Sequence, residues 1–206
     1  MILPAHLHVS RESQAKLALY VETLEKWQKQ INLIAPSTVG SAWSRHVADS
    51  LQLLPHIPNH VTTIADLGTG AGFPGLALAL VRPLHAHLYE SNGKKVAFLR
   101  EVIRRTGAAA TVHQMRIEDL ARDPNLPVIQ LVLSRAFAPL DQLLGYAEPL
   151  FQRGARALFH KGQDVDAELT EAAKYWKLQF KKHPSSTDSK ACLLEVEEAY
   201  RVARAD

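Results

Sequence analysis

Val61-Thr62-Thr63-Ile64-Ala65-Asp66-Leu67-Gly68-Thr69-Gly70-Ala71-Gly72-Phe73-Pro74-Gly75 decides how the rest of this sequence is read. The β-branched run Val61 to Ile64 favours an extended chain, and glycines at 68, 70, 72 and 75 permit a sharp turn with close ligand approach. Pro74 suits the first turn of a helix, where its missing N–H has no partner to lose. Leu76 to Val81 then reads as that helix's buried body. Strand, glycine turn and helix together form the first βα unit of a nucleotide-type α/β fold.

Working outward, two helical patterns precede this unit. Apolar residues at Leu17, Tyr20/Val21, Leu24, Trp27 and Ile31 recur at three-and-four spacing, with Ser10 as cap. Trp43, Val47, Leu51 and Leu54 repeat the pattern up to Pro55, and Asn32 to Ser37 reads as the loop between the two. Residues 1–58 are therefore expected to be an N-terminal two-helix extension, and 59–206 a Rossmann-like body. Downstream, strands are expected at 86–90, 110–113, 127–134, 155–159, 178–182 and 191–196, with helices at 93–106, 141–151 and 166–176. Pro127 to Ser134 is apolar nearly throughout, as a parallel strand buried on both faces should be. The last two strands lie close enough to pair as a hairpin. The expected fold class is α/β, a mostly parallel sheet with an antiparallel C-terminal edge.

The bulk properties fit one main domain. The chain has 206 residues, 47% of them apolar, and its longest unbroken apolar run is the six residues Leu76 to Val81. A membrane span needs about 20. Met1 to His6 lacks the pattern of a secretory signal, so a cytoplasmic protein is expected. The single cysteine, Cys192, sits in an apolar run and reads as an inert buried thiol. A net charge of +3 permits a nucleic-acid partner without requiring one. Basic residues cluster at Lys94, Lys95, Arg100, Arg104 and Arg105, and again at Lys181, Lys182 and His183; each cluster is an RNA face or a solvated surface.

Gly70, Gly72 and Gly75 match the dinucleotide fingerprint G-x-G-x-x-G, which alone is a weak signal. The same turn also reads as Asp66-x-Gly68-x-Gly70-x-Gly72. A strand-end carboxylate would repel a pyrophosphate but attract the ammonium and sulfonium of S-adenosylmethionine, so Asp66 favours that cofactor. The competing role for Asp66 is to cap the turn's own N–H groups. Glu90, 22 residues after Gly68, stands where an acid accepts hydrogen bonds from ribose hydroxyls in this class of fold. Glu118-Asp119 would lie over the same strand ends, near the adenine. Ser134-Arg135-Ala136-Phe137 leaves the carboxyl end of the central strand beside the ligand crevice. Arg135 could hold cofactor or phosphate, or form a structural ion pair; Phe137 could stack on a base, or belong to the core.

What is missing narrows the chemistry. Carbon-5 methylation of a pyrimidine needs a cysteine nucleophile, and Cys192 is misplaced for it. Exocyclic amine methylation usually needs an Asn/Asp-Pro-Pro-aromatic run where Ser134 to Phe137 stands. Guanine N7 has a free lone pair and no proton to remove, so alignment alone, which can supply about 7–11 kcal/mol, suffices there.

Trp27…Asn32-Leu33, Arg45-His46-x-x-Asp49-Ser50-Leu51, the glycine turn from Asp66 to Gly75, Lys94-Lys95-x-x-Phe98-Leu99 and Ser134-Arg135-Ala136-Phe137 together resemble the RsmG (GidB) family, across roughly Trp27 to Leu194. The resemblance implies a class I S-adenosylmethionine-dependent methyltransferase acting on guanine N7 at position 527, in the 530 loop of 16S rRNA. Carried over, Gly68, Phe73, Glu90, Ile117, Glu118 and Arg135 match cofactor-contacting positions, and with Asp66, Gly70 and Gly72 from the reading of the turn they are the expected cofactor-binding residues. Arg135 and His46 are the expected catalytic residues. Arg45, His46, Lys94, Lys95 and Lys190 are the expected RNA contacts. Ile34 replaces the family's usual Thr, Lys190 replaces its usual Arg, and Glu195-Val196-Glu197-Glu198 replaces a Val-rich ending. The small ribosomal subunit is the implied partner, with no metal, no membrane and a monomeric state expected. The remaining alternatives are a nicotinamide-dependent dehydrogenase using Gly70, Gly72 and Gly75, and a non-catalytic nucleotide- or RNA-binding module.

Overall fold

The computed structural model describes residues 9–202. Met1 to His6, whose lack of a leader pattern supported a cytoplasmic protein, lies outside them. The chain begins with helix α1 (Arg11–Gln28), capped by Ser10, whose hydroxyl accepts the Ser13 N–H. A 3₁₀ turn over Pro36–Ser41 follows, then a π-helical segment, Trp43–Ala48, that runs into the short helix α2 (Asp49–Leu51). A single α-helix was expected here. The wider π turn departs from the 3.6-residue period on which that expectation rested.

The body alternates β1 (Thr63–Leu67), α3 (Gly75–Ala79), β2 (His85–Glu90), α4 (Gly93–Thr106), β3 (Ala110–Gln114), a 3₁₀ turn (Ile117–Arg122), β4 (Leu131–Arg135), α5 (Leu140–Phe151), β5 (Arg156–Lys161) and α6 (Val165–Ala172). It ends in the strands β6 (Trp176–Pro184) and β7 (Cys192–Arg201). The seven strands lie in the order β3-β2-β1-β4-β5-β7-β6. Pairings from β3 to β5 are parallel, whereas β7 runs antiparallel to both β5 and β6. The order reverses between β1 and β4, so the crevice for a ligand opens above the carboxyl ends of those two strands.

Some boundaries shift. The first strand begins at Thr63 rather than Val61, and the central one at Leu131 rather than Pro127. Pro127 has no N–H for a ladder, and Gln130 uses its side-chain oxygen to accept the Thr62 and Thr63 N–H groups at 2.7 and 3.0 Å. That bond tethers the entry of β4 to the entry of β1. The hairpin is longer than expected, and Trp176, read as the end of a helix, opens β6.

Each face of the sheet carries its own apolar layer. Leu17, Tyr20 and Leu24 of α1 pack with Leu76 and Leu78 after the turn and with Phe98, Leu99 and Val102 of α4. The opposite face is covered by Leu140, Leu143, Leu144 and Ala147 of α5, together with Ile117 and Leu120. α1 shares its buried stripe with the body; the Arg105 guanidinium reinforces the contact by donating to the Thr23 hydroxyl at 2.6 Å.

Candidate functional site

A cavity of about 1120 Å³ lies above the carboxyl ends of the parallel strands. Its floor is the glycine turn. Gly68, Gly70 and Gly72 all have positive φ, +66°, +58° and +92°, which explains glycine at each. Thr69 donates its N–H to the Tyr89 carbonyl (3.1 Å) and Gly72 donates to that of Thr69 (2.8 Å), folding the loop over the end of β2. A Cβ on Gly70 would meet no protein atom nearer than 3.9 Å, so that flank of the turn is open.

Asp66 does not reach the cavity. It is fully buried, and its Oδ2 accepts the Thr69 hydroxyl at 2.6 Å and the Gly75 N–H at 2.9 Å. Any side chain at Gly75 would place its Cβ 2.7 Å from the Asp66 Cβ. Burial raises the Asp66 carboxyl to a pKa of about 6, against the pull of those two hydrogen bonds. In this structure the acid read as a direct attractor of the sulfonium caps the turn. Sequence could not separate these roles, because both need a carboxylate at the strand end.

Glu90 does line the cavity. Its Oε2 accepts the Gly70 N–H at 3.1 Å and its Oε1 the Asn92 N–H at 2.8 Å, which fixes the carboxylate between the turn and the start of α4. Gly68, Ile117 and Glu118 share the same wall. Phe73 also lines the cavity; it is only 3% exposed and lies between Tyr20 (ring centroids 4.9 Å) and His46 (5.3 Å). Tyr20 ties α1 to the turn by donating its hydroxyl to the Ala71 carbonyl. Neither Asp66 nor Gly72 lines the cavity, whereas Gly68, Gly70 and Glu90 do. An adenosyl cofactor fits the residues present: a glycine floor with one flank open, a fixed carboxylate for ribose hydroxyls and the apolar Ile117 beside it.

On the other side stands a network that sequence reading did not assemble. Arg135, leaving β4, donates through Nη1 to the Asp49 carboxylate (3.0 Å) and the Arg45 carbonyl (3.1 Å), and through Nη2 to His46 Nδ1 (2.8 Å). Asp49 Oδ1 also accepts from the Thr187 hydroxyl and, at 2.7 Å, from Gln52. His160 Nε2 donates to the Asp49 carbonyl at 3.0 Å. One aspartate thus joins the N-terminal segment, β4, β5 and the β6–β7 turn. Burial pushes the Asp49 carboxyl up, but His160, the Thr187 hydroxyl and Arg135 together hold it below the ordinary carboxylate value.

His46 accepts from Arg135 at Nδ1, so its Nε2 carries the proton, 2.9 Å from the Thr38 hydroxyl. That hydroxyl in turn donates to the Ala35 carbonyl at 2.8 Å. Burial, aided by the Arg135 charge, lowers the imidazole to a pKa of about 4. His46 is neutral at physiological pH, with one tautomer fixed by its partners.

The expected RNA contacts divide. Arg45, His46 and Lys95 line the cavity, while Lys94 and Lys190 do not. Lys94 and Lys95 begin α4, where the Asn92 side chain accepts both their N–H groups. Arg45 lies 3.5 Å from Asp188. Lys161, Glu168, Asp49, His160 and Thr187 also line the cavity and were not expected there. Of these only Asp49 stood in a motif, three residues after His46. Among the described residues, no group of three or more His, Cys, Asp or Glu is arranged to hold a metal ion.

Comparison with known proteins fits this geometry. The family model for GidB, rRNA small subunit methyltransferase G, matches residues 13–193. A ribosomal RNA small subunit methyltransferase G from Bradyrhizobium sp. (strain ORS 278) is 49% identical over 193 residues, spanning 92% of this chain and 86% of that protein. Among solved structures, an rRNA methylase from Streptococcus thermophilus matches with TM-score 0.53 at 14% identity, over 75% of this chain and 96% of that one. A Streptococcus mutans protein in complex with S-adenosylhomocysteine matches with TM-score 0.51 at 10% identity, over 73% of this chain and 94% of its own. The fold is that of class I methyltransferases, and neither the dehydrogenase nor the non-catalytic module finds support among these relatives. With a matching model over residues 13–193 and half-identical relatives over nine-tenths of its length, the chain belongs to the GidB family, rRNA small subunit methyltransferase G.

Proposed function

We propose that this enzyme uses S-adenosylmethionine to methylate N7 of a guanine in 16S rRNA, the guanine at position 527 in the 530 loop. The observation that carries the reading is the state of His46. It sits in the cavity wall with both ring nitrogens engaged and a pKa of about 4, so it holds shape without exchanging protons. A reaction that needs no base suits such a wall. Guanine N7 offers a lone pair and no proton, so the work left to the protein is alignment.

When bound, the cofactor supplies an electrophilic methyl group on a sulfonium. Gly68 and Gly70 form the bed, Glu90 holds the ribose end, and Ile117 and Glu118 flank the adenine. Phe73 lines the same cavity beside them, while Asp66 and Gly72 act behind these residues by fixing the turn. Arg135 and His46 form the wall on the substrate side, with Arg135 acting by position and by its charge. Positive charge leaves the sulfur and arrives on the base, so no oxyanion site is required. Arg45 and Lys95 at the cavity, with Lys94 and Lys190 outside it, supply the RNA-facing charge, and the neutral His46 an uncharged RNA contact beside them.

The fit of residues 1–58 as an extension onto a 59–206 body, a monomeric state, a cytoplasmic location and the absence of a metal requirement belong to the same proposal. Among the described residues no helix is long and apolar enough to cross a membrane. Calorimetry with S-adenosylmethionine, S-adenosylhomocysteine and NAD tests the cofactor. The two adenosyl compounds should bind and NAD should not; binding of NAD alone would overturn the reading. Labelled cofactor given with either intact small subunits or naked rRNA then identifies the form of RNA that is accepted.

A further inference from the structure

The loop between β4 and α5 carries an aromatic side chain in an unusual setting. Phe137 is 39% exposed and lines the cavity, although it stands only two residues beyond the buried strand β4. One side of its ring is laid against Gly68, so closely that a Cβ on that glycine would lie 2.2 Å from the ring. Its other neighbour is Tyr146, with ring centroids 5.9 Å apart. The preceding residue, Ala136, has φ of +51°, a left-handed conformation that is uncommon outside glycine and persists where the surroundings impose it.

Those surroundings are specific. On the upstream side Arg135 is tied to Asp49, His46 and the Arg45 carbonyl. On the downstream side Lys161, only 8% exposed, donates to the Ala138 carbonyl at 3.2 Å and pairs with Glu168 at 2.5 Å. Glu168 in turn accepts the Leu140 N–H at 2.6 Å. An ion pair with one buried member and one partly exposed is a weak source of stability, and the best-attested use of such a pair is to fix one arrangement. Here both of its members bond the backbone of the short segment that bears Phe137.

We infer that Phe137 is the stacking surface for the target guanine, and that the Lys161–Glu168 pair is a positioning device holding that ring at the Gly68 end of the cofactor bed. A ring fixed there presents a π face to the cavity beside the turn. A base taken out of an RNA loop needs such a face to replace the stacking it loses. The ring's rigidity, set by contacts on both sides of the loop, is what alignment of N7 requires.

The inference rests on the guanine reading above, and one set of assays separates the two. Wild type, Phe137→Leu, Phe137→Tyr and Lys161→Met are each given unmethylated small ribosomal subunits and labelled S-adenosylmethionine. Binding of S-adenosylhomocysteine is measured by calorimetry, and folding by thermal melting. Phe137→Leu should lower kcat/KM for the subunit about tenfold to a hundredfold, the range of losing one base–aromatic stack. Its affinity for S-adenosylhomocysteine should stay within about twofold of wild type. Phe137→Tyr, which keeps the π face, should remain near wild type. Lys161→Met should lower kcat/KM in the same direction, and combining it with Phe137→Leu should add little, because both act through one ring. Should the Leu variant melt early, Phe137→Met provides a second side chain of similar volume without a π face.

A Leu or Met variant that methylates as fast as wild type overturns the inference. So does a parallel loss of S-adenosylhomocysteine binding, which would assign the ring to the cofactor. Additive losses in the double variant would remove Lys161 from the device. If the wild type itself leaves guanine unlabelled, the guanine reading falls and this inference falls with it.

Discussion

The glycine turn and the Asp49 network are each organised by a buried or nearly buried aspartate, yet they are built in opposite ways. Asp66 bonds Thr69 and Gly75, three and nine residues away in sequence. Asp49 bonds Arg135 and Thr187, 86 and 138 residues away, while its carbonyl accepts from His160 at a separation of 111. The first is a local fold of one βα unit, closed between β1 and α3. The second exists only when the N-terminal segment, β4, β5 and the hairpin turn have come together. The cap of the glycine turn is thus a contact between near neighbours in sequence, and the substrate side is held by segments from the whole chain. Their functions should separate along the same line.

The largest expected effect is at Asp49. Removing one partner of a buried pair leaves the other uncompensated, so Asp49→Ala should cost about 3 kcal/mol in urea unfolding, somewhat less if water reaches Arg135. Its methyl transfer should fall far more than its affinity for S-adenosylhomocysteine. An Asp49→Ala variant that loses cofactor binding as steeply as turnover would break the division between the two regions. Asp66→Ala comes next. It strips the Gly75 N–H and the Thr69 hydroxyl of their acceptor, at about 1–3 kcal/mol, and should weaken cofactor binding although Asp66 lies outside the cavity. Unchanged affinity in a folded Asp66→Ala protein would mean that the turn does not depend on its cap.

Glu90→Ala should weaken cofactor affinity about tenfold, with a smaller change in stability, since the carboxylate is reached by two backbone N–H groups that water can serve instead. Calorimetry decides this one as well. The smallest effects are those of pH. Because His46 has a pKa near 4, kcat should stay flat from about pH 6 to 8; an inflection near 6.5 that disappears in His46→Gln would contradict a non-titrating wall. Asp66 has the opposite sign. Its folded pKa of about 6 exceeds the unfolded value, so the folded state binds more protons between about pH 4 and 6. Stability should decline across that window as pH rises, relative to Asp66→Asn. A wild type that gains on the Asn variant there would show that the carboxylate is not strained by its burial.

The same contrast explains what could be read from the residues alone. β1, the glycine turn, Glu90 and the alternating strands were legible because each signal is contiguous: a β-branched run, glycines where φ must be positive, an acid at a strand end. Arg135 was legible as a charged residue placed at the mouth of the sheet. Its partners were not, since nothing in the spacing of Asp49, Arg135, His160 and Thr187 announces that they meet. Lys161 and Glu168 were missed for that reason too. The inward turn of Asp66 was hidden by chemistry rather than distance, because a capping carboxylate and a ligand-facing one look alike in sequence. The π turn over Trp43–Ala48 escaped because its apolar residues also satisfy the ordinary helical period.

The most direct test of the account is to map the methyl group itself. Unmethylated small ribosomal subunits are incubated with this protein and labelled S-adenosylmethionine, the 16S rRNA is digested, and the modified nucleoside is identified. The account predicts label on N7 of a single guanine, in the 530 loop. Label on any other atom, or on ribosomal protein with none on guanine N7, would contradict it.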